Sequence, residues 1–217
     1  MKLLRNALLL GALALPQAIV AQGQRPSSEA ATAEQRLAED LGLERLSRTT
    51  APVLVTDNIS TLQQIGNGST ARLDQQSLAA PANQALMVQV GNANVLGLTQ
   101  TGAGNRLNAV QIGSGNTADF VQDGISNTST LAQKGSQNAI KGLVDGDRNQ
   151  LNVVQTGNGN EVDSELRQNG RRYNITQLGQ DNTLTQKETS AQSPQGYNVL
   201  MVGRGINITI EQGRVIR

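Results

Sequence analysis

An all-β fold is predicted, a β-solenoid (β-helix) made of 22-residue strand-turn-strand-turn coils. Three observations predict it. A motif recurs every 11 residues, its apolar positions alternate with period two, and one of its places is held by glycine. Aromatic residues are nearly absent: Phe120, Tyr173 and Tyr197 are the only ones in 217 residues. An ordinary globular core of that length uses more rings, because each buries a large apolar area.

The elements follow in chain order. Residues 1–21 begin with Lys2 and Arg5, continue through the apolar stretch ALLLGALAL at 7–15, and end in small residues at Ala21. This is the pattern of a secretory signal peptide cleaved after Ala21. The other reading is an uncleaved anchor, but Pro16 and Gln17 break a stretch already shorter than the roughly 20 apolar residues a span needs. Residues 22–57 are rich in Ala, Glu, Arg and Ser. Leu37, Leu41 and Leu46 there suggest a short amphipathic helix. A flexible N-terminal segment is the expectation, since short isolated helices are marginal in water.

The repeat occupies residues 58–188. Gln89, Gln100, Gln111, Gln122 and Gln133 are spaced by 11, and Val144, Gln155, Leu166 and Gln177 continue the series. Two residues after most of these stands Gly, and five residues after stands Asn. The unit is Q-x-G-x-x-N-x-φ-x-φ-x, with φ mostly aliphatic. From each Asn to the next Gln the residues alternate, as in Asn105-Arg106-Leu107-Asn108-Ala109-Val110-Gln111. Asn, Leu, Ala and Gln share one face; the charges (Arg106, Asp119, Lys141, Glu161, Asp163, Glu165, Arg172) share the other. Period two means strand, with the aliphatic face inward. A helix is excluded by the recurrent Gly and Asn, both poor helix formers.

Between strands, Gly supplies the positive φ of a tight corner, and the neighbouring Asn is expected to tolerate similar geometry. Two units close one coil. Coils then stack in parallel register at about 4.8 Å, an amyloid-like cross-β arrangement in which positions 22 apart are vertical neighbours. Gln89, Gln111, Gln133, Gln155 and Gln177 form one unbroken column. Asn94, Asn116, Asn138, Asn160 and Asn182 form a second, on the opposite strand, and Gly91, Gly113, Gly135, Gly157 and Gly179 a third. The alternate columns are looser: Gln100, Gln122, Val144, Leu166, Glu188 for Gln, and an Asn series ending at Arg171. Stacked identical amides bond to one another along the axis, because each carries donor and acceptor. The plainer alternative makes Gln and Asn turn-formers and surface polar residues; it accounts for Asn at the turn but not for Gln on the aliphatic face.

The register runs back to Asn58-x-Ser60-x-Leu62-x-Gln64 and Ser69-x-Ala71-x-Leu73-x-Gln75, with a three-residue insertion near Pro81. Residues 189–217 are a degenerate repeat in which Ile206, Ile208 and Ile210 still alternate but the Gln and Gly columns are expected to be lost. Arg204, Arg214 and Arg217 make this end basic. Outward Val88, Val110, Ala132 and Val154 line up as an apolar stripe. The stripe suits lateral packing of filaments, or plain β-propensity without a partner.

Composition narrows function. The chain has no Cys and no His, which removes thiolate and imidazole metal sites, the usual catalytic triads and any disulfide frame. The formal net charge of +1 gives no field that points to nucleic acid. No cofactor is implied, and no enzyme activity is expected: the carboxylates recur at no shared column, so they do not converge as catalysis requires.

These residues resemble the curlin repeat, Q-x-G-x-x-N-x-A-x-x-x-Q. Gln111, Gly113, Asn116, Ala118 and Gln122 match it at every fixed place, and the resemblance covers roughly residues 58–188. It implies export through a dedicated outer-membrane secretion pore. It also implies assembly, by self-association and with a second curlin subunit, into curli: an adhesive, extracellular biofilm amyloid on a bacterial surface. The constant spacing, aliphatic interior and basic C-terminal end look more like the minor, nucleator-type curlin than the major one. The long segment 22–57 departs from the usual short leader.

Three functions therefore compete: a fibre subunit or nucleator that grows by edge-to-edge stacking of coils, a capped monomeric solenoid acting as a surface adhesin or binding protein, and a polysaccharide-cleaving β-helix enzyme. Open strand edges favour the first, since an end coil that matches its start coil templates the next molecule. Outer acids such as Asp119, Asp163 and Glu165 would restrain premature association, or simply keep the surface soluble.

Overall fold

The computed structural model describes residues 57–188 and 196–213. The predicted signal peptide and nearly all of segment 22–57 lie outside the described residues. Every described element is a strand. One seven-stranded parallel sheet holds β1 (Ile59–Ile65), β3 (Gln84–Asn92), β5 (Arg106–Ser114), β7 (Thr128–Ser136), β9 (Gln150–Asn158), β11 (Arg172–Gln180) and β13 (Gly196–Arg204), in that order. A second seven-stranded sheet holds β2 (Thr70–Ser77), β4 (Val95–Ala103), β6 (Thr117–Ile125), β8 (Ala139–Asp145), β10 (Glu161–Leu166), β12 (Thr183–Glu188) and β14 (Asn207–Gln212). The chain alternates between the sheets, so each coil is one strand from each. The molecule is a parallel β-solenoid of about 7 turns of about 22 residues.

Register follows the sequence columns. Gln89 pairs with Gln111, Gln111 with Gln133, and Gly113 with Gly135. The first coil is longer: Ile59 pairs with Gln84 and Thr70 with Val95, which places the insertion near Pro81 at the β2–β3 corner. The peptide Ala80–Pro81 there is cis.

The strands form because alternate residues have somewhere apolar to go. Leu96, Leu107, Ala118, Ile140, Leu151, Val162, Tyr173 and Leu184 project between the sheets, joined by Met87, Leu98, Ala109, Phe120, Leu131, Val153 and Ile175. Each is at most 2 % exposed. One interior fit is complementary in size. Phe120 stacks on Gly142, where an added Cβ would lie 2.6 Å from the ring.

The C-terminal region departs from expectation. Residues Gly196–Arg204 and Asn207–Gln212 form a seventh coil in register, with Gly203 paired to Gly179 and Gln212 paired to Glu188. The glycine column is therefore kept, and one Gln place is refilled. Alternation of Ile206, Ile208 and Ile210 was enough to hold the strand, because burial is decided by period and not by motif identity. The apolar outer stripe also differs from an open surface. Val88 is 0 % exposed, Ala132 5 % and Val154 6 %. Only Val110 of that series is half-buried.

Candidate functional site

The chemistry of this chain lies in its axial columns and in its two edges. In the first sheet, Gln64 Nε2 donates to Gln89 Oε1, Gln89 to Gln111, Gln111 to Gln133, Gln133 to Gln155 and Gln155 to Gln177, at 2.5–2.9 Å. The second hydrogen of each buried Nε2 goes to a backbone carbonyl of the facing sheet. Gln111 reaches Val95 at 3.0 Å, Gln133 reaches Thr117 at 3.0 Å and Gln155 reaches Ala139 at 2.9 Å. These glutamines are at most 1 % exposed and are satisfied only by the neighbouring coils and the wall opposite.

The asparagines do different work. Asn116, Asn138, Asn160 and Asn182 each donate their backbone N–H to the side-chain Oδ1 one coil earlier, at 3.1–3.3 Å. Their Nδ2 groups donate to that same Oδ1 at 2.9–3.1 Å. Asn94, Asn116, Asn138 and Asn160 also donate Nδ2 to the carbonyls of Gly113, Gly135, Gly157 and Gly179, at 2.9–3.0 Å. Asn is thus a buried clamp between coils. The positive φ near it belongs to the preceding residue: Ala93, Gly115, Gln137, Gly159 and Asp181 have φ of 54–66°. The expectation that Asn itself shares the turn conformation is corrected.

The glycine column needs glycine twice over. Gly135 has φ of 117°, and a Cβ on it would sit 2.0 Å from the carbonyl oxygen of Gly157. Gly91, Gly113, Gly157 and Gly179 meet the next glycine carbonyl at 1.8–2.0 Å in the same way. The carbonyl that forbids a side chain is the one the Asn clamp binds.

The second sheet shows what happens where an amide is missing. Gln75 Nε2 donates to Gln100 Oε1 at 2.7 Å, and Gln100 to Gln122 at 2.9 Å. Val144 and Leu166 follow in the column. Gln122 Nε2 turns instead to Ser129 Oγ at 2.9 Å, and Ser129 is 0 % exposed. Sequence reasoning missed this rescue. The signal available was a lone Ser at an aliphatic place, next to the first gap in the Gln series.

A second missed feature is an ionic group inside the sixth and seventh coils. Glu188, fully buried in a Gln place, accepts a short hydrogen bond from Tyr173 Oη. Arg171, in an Asn place, lies 3.7 Å from the Glu188 carboxylate. Tyr173 and Tyr197 pack edge to face at 5.2 Å. Burial, then the hydrogen bond and charge of Glu188, push the Tyr173 phenol well above its ordinary range; burial and then Glu188 do the same to Tyr197. The two positions where amides give way to opposite charges could have suggested the pair.

The outer face of the second sheet carries most of the charge. Arg167 bonds Glu165 at 2.7 Å and Asp145 at 3.0 Å, and Lys187 lies 3.5 Å from Glu165. The bond from Arg167, helped by the charge of Lys187 and opposed by desolvation, holds the Glu165 carboxyl below its ordinary value. Asp119 and Asp163 stand exposed on the same face. Among the described residues no group of three or more acidic side chains is arranged to hold a metal ion, and no helix is long and apolar enough to cross a membrane.

Fold and columns together define a class, the parallel β-solenoid with interior amide ladders. Neither a protein-family model, nor a curated protein, nor a solved structure matches the chain.

Proposed function

We propose that this chain is a structural subunit or nucleator of an extracellular, curli-type amyloid fibre, serving cell adhesion and biofilm matrix, and that it assembles by stacking solenoid coils edge to edge. The carrying observation is the first-coil edge. Among the described residues β1 has no strand on its outer side, and its inward Leu62 is 49 % exposed. An open edge with its apolar row uncovered is a template for another coil. The 11-residue motif supports the curlin reading, and the secretory pattern at 1–21 supports export through an outer-membrane pore to the cell surface. The partners are further copies and a second curlin subunit, with no nucleic acid, metal or cofactor and no enzymatic step.

The test is incubation of the chain at micromolar concentration with thioflavin fluorescence and fibre diffraction as readouts. Fibres with a reflection at about 4.8 Å are expected. Gln111→Ala with Gln133→Ala should slow assembly far more than Arg106→Ala with Lys141→Ala. A chain that stays monomeric under these conditions refutes the fibre reading and leaves the capped solenoid.

A further inference from the structure

The amide ladder has a direction. Every ladder Gln from Gln64 to Gln155 in the first sheet donates Nε2 toward the C-terminal coils and turns Oε1 toward the N-terminal ones. The backbone fixes this sense. Because the other Nε2 hydrogen is held by a carbonyl, exchanging O and N would set oxygen against oxygen at Val95, Thr117 and Ala139. The second sheet runs the same way from Gln75 to Gln100 to Gln122.

The two ends are therefore different. At the first-coil edge, Gln64 and Gln75 present Oε1 away from the stack, and no described residue donates to either. At the other edge the first-sheet ladder stops at Met201, whose Sδ accepts from Gln177 Nε2 at 3.4 Å. A thioether has no hydrogen to pass on. Ile206 holds the Asn place; its N–H reaches Asn182 Oδ1 at 3.1 Å, but it offers no oxygen to a following coil. Packing differs in the same sense in the first sheet, where Leu62 and Gln64 of β1 are exposed while Val199 and Met201 of β13 are buried; in the second sheet Ala71 and Leu73 of β2 and Ile208 and Ile210 of β14 are alike half-buried.

A second copy joined head to tail would set Met201 against Gln64 and Ile206 against Ser69. Gln64 Oε1 would lack a donor and the Ser69 N–H an acceptor, and of these places only Gln75 would find an amide, from Gln212. The geometry points to a one-ended solenoid: its first-coil edge is the docking surface, and the partner it fits is a different chain of the same repeat whose last coil carries Gln in both ladder places. This rests on the edge-stacking reading above and adds the edge, the direction and a preference for that chain over a further copy, which adds more weakly.

The probe is a synthetic chain of tandem copies of residues 105–126, which ends in Gln at both ladder places. Binding of this probe to the full chain is measured by sedimentation at micromolar concentration. Wild type should bind it, and Gln64→Leu with Gln75→Leu, both on the open first-coil edge, should weaken binding by at least about tenfold per column, on the order of 1.4 kcal/mol each. Met201→Gln with Ile206→Asn should let the chain add to itself at least about tenfold more tightly than wild type does. Circular dichroism checks that the last coil is retained. Absence of probe binding, equal binding by the Gln64/Gln75 variant, or self-addition by wild type equal to that of the Met201/Ile206 variant overturns the inference. Thioflavin and diffraction on the same mixtures report separately on fibres. A complex without fibres refutes the fibre reading and keeps the edge, while fibres that form as readily from wild type alone as with the probe keep the fibre reading and refute the edge.

Discussion

Replacing Gln133 with Ala removes the middle rung of the longest ladder. Gln133 accepts from Gln111 Nε2 at 2.8 Å, donates to Gln155 Oε1 at 2.9 Å, and donates to Thr117 O at 3.0 Å. Gln111 keeps its bond to Val95 O but loses a partner for its second hydrogen, and Gln155 Oε1 loses its donor from above. Two buried polar groups are orphaned, each costing about 1–3 kcal/mol, so the expected loss is about 2–6 kcal/mol. That is a large share of the roughly 5–15 kcal/mol by which folded domains are stable. A repeat array need not unfold in one step, so the assay combines chemical denaturation with hydrogen exchange at the amides of β5, β7 and β9. Gln133→Met separates cavity from amide, because it restores volume without the amide's donor and carbonyl acceptor. Lys134→Ala, on the exposed side of the same strand, should stay within about 0.5 kcal/mol. If Gln133→Met keeps most of the stability that Gln133→Ala loses, or if Lys134→Ala costs as much as Gln133→Ala, the ladder is not what holds the coils in register.

Ser129→Ala should cost about 1–3 kcal/mol through the orphaned Gln122 amide, read by the same denaturation, and no loss would mean that the rescue bond carries nothing. Gly135→Ala should prevent the fourth coil from stacking on the fifth, since both the backbone region and the Gly157 carbonyl exclude a Cβ; unchanged exchange protection around Gly135 would refute this. Gly142→Ala should cost about 1–3 kcal/mol by overpacking against Phe120, and Phe120→Leu should recover much of it in a double-mutant cycle. Alkali should open the C-terminal coils. Tyr173 and Tyr197 are raised above the ordinary value of 10.0 in the fold, so their contribution is complete below pH about 10 and is lost as pH rises further, where the unfolded chain ionises first. They are the only two tyrosines, so phenolate absorbance reads them directly against circular dichroism. Ionisation near 10 with the fold intact would contradict their burial.

Much of this architecture is legible in the sequence because the repeat does the aligning. A strand reads out its inward face through period two, and a fixed 22-residue spacing says which residues stack. The insertion near Pro81 was visible for the same reason: it shifts the phase once and then restores it. What escaped was anything decided by a single contact. Ser129 looks like an ordinary substitution until Val144 leaves Gln122 without an amide neighbour in the next coil. Asn beside a turn suggests turn geometry, yet its side chain is spent on the neighbouring coil and Gln137 takes the strained φ of 57°. The register of the seventh coil escaped because Met201 and Ile206 replace its first-sheet Gln and its Asn while its alternation persists, and hydrophobic burial needs only the latter.

Among the described coils, the added residues all fall in connections that run from the second sheet to the first. The β2–β3 connection carries the insertion around Pro81, and the wider spacing between β11 and β13 places the other added residues between β12 and β13. The opposite connection, from first-sheet strand to second-sheet strand, keeps four residues between Ile65 and Thr70 and only two between Asn92 and Val95, Ser114 and Thr117, Ser136 and Ala139, and Asn158 and Glu161. One seam of the molecule is thus a spine of uniform short turns and the other is editable. A guest peptide placed in the turn after Asp145, on the editable seam, would project at a fixed height, and lengthening the chain by whole 22-residue units would space further guests like teeth on a comb.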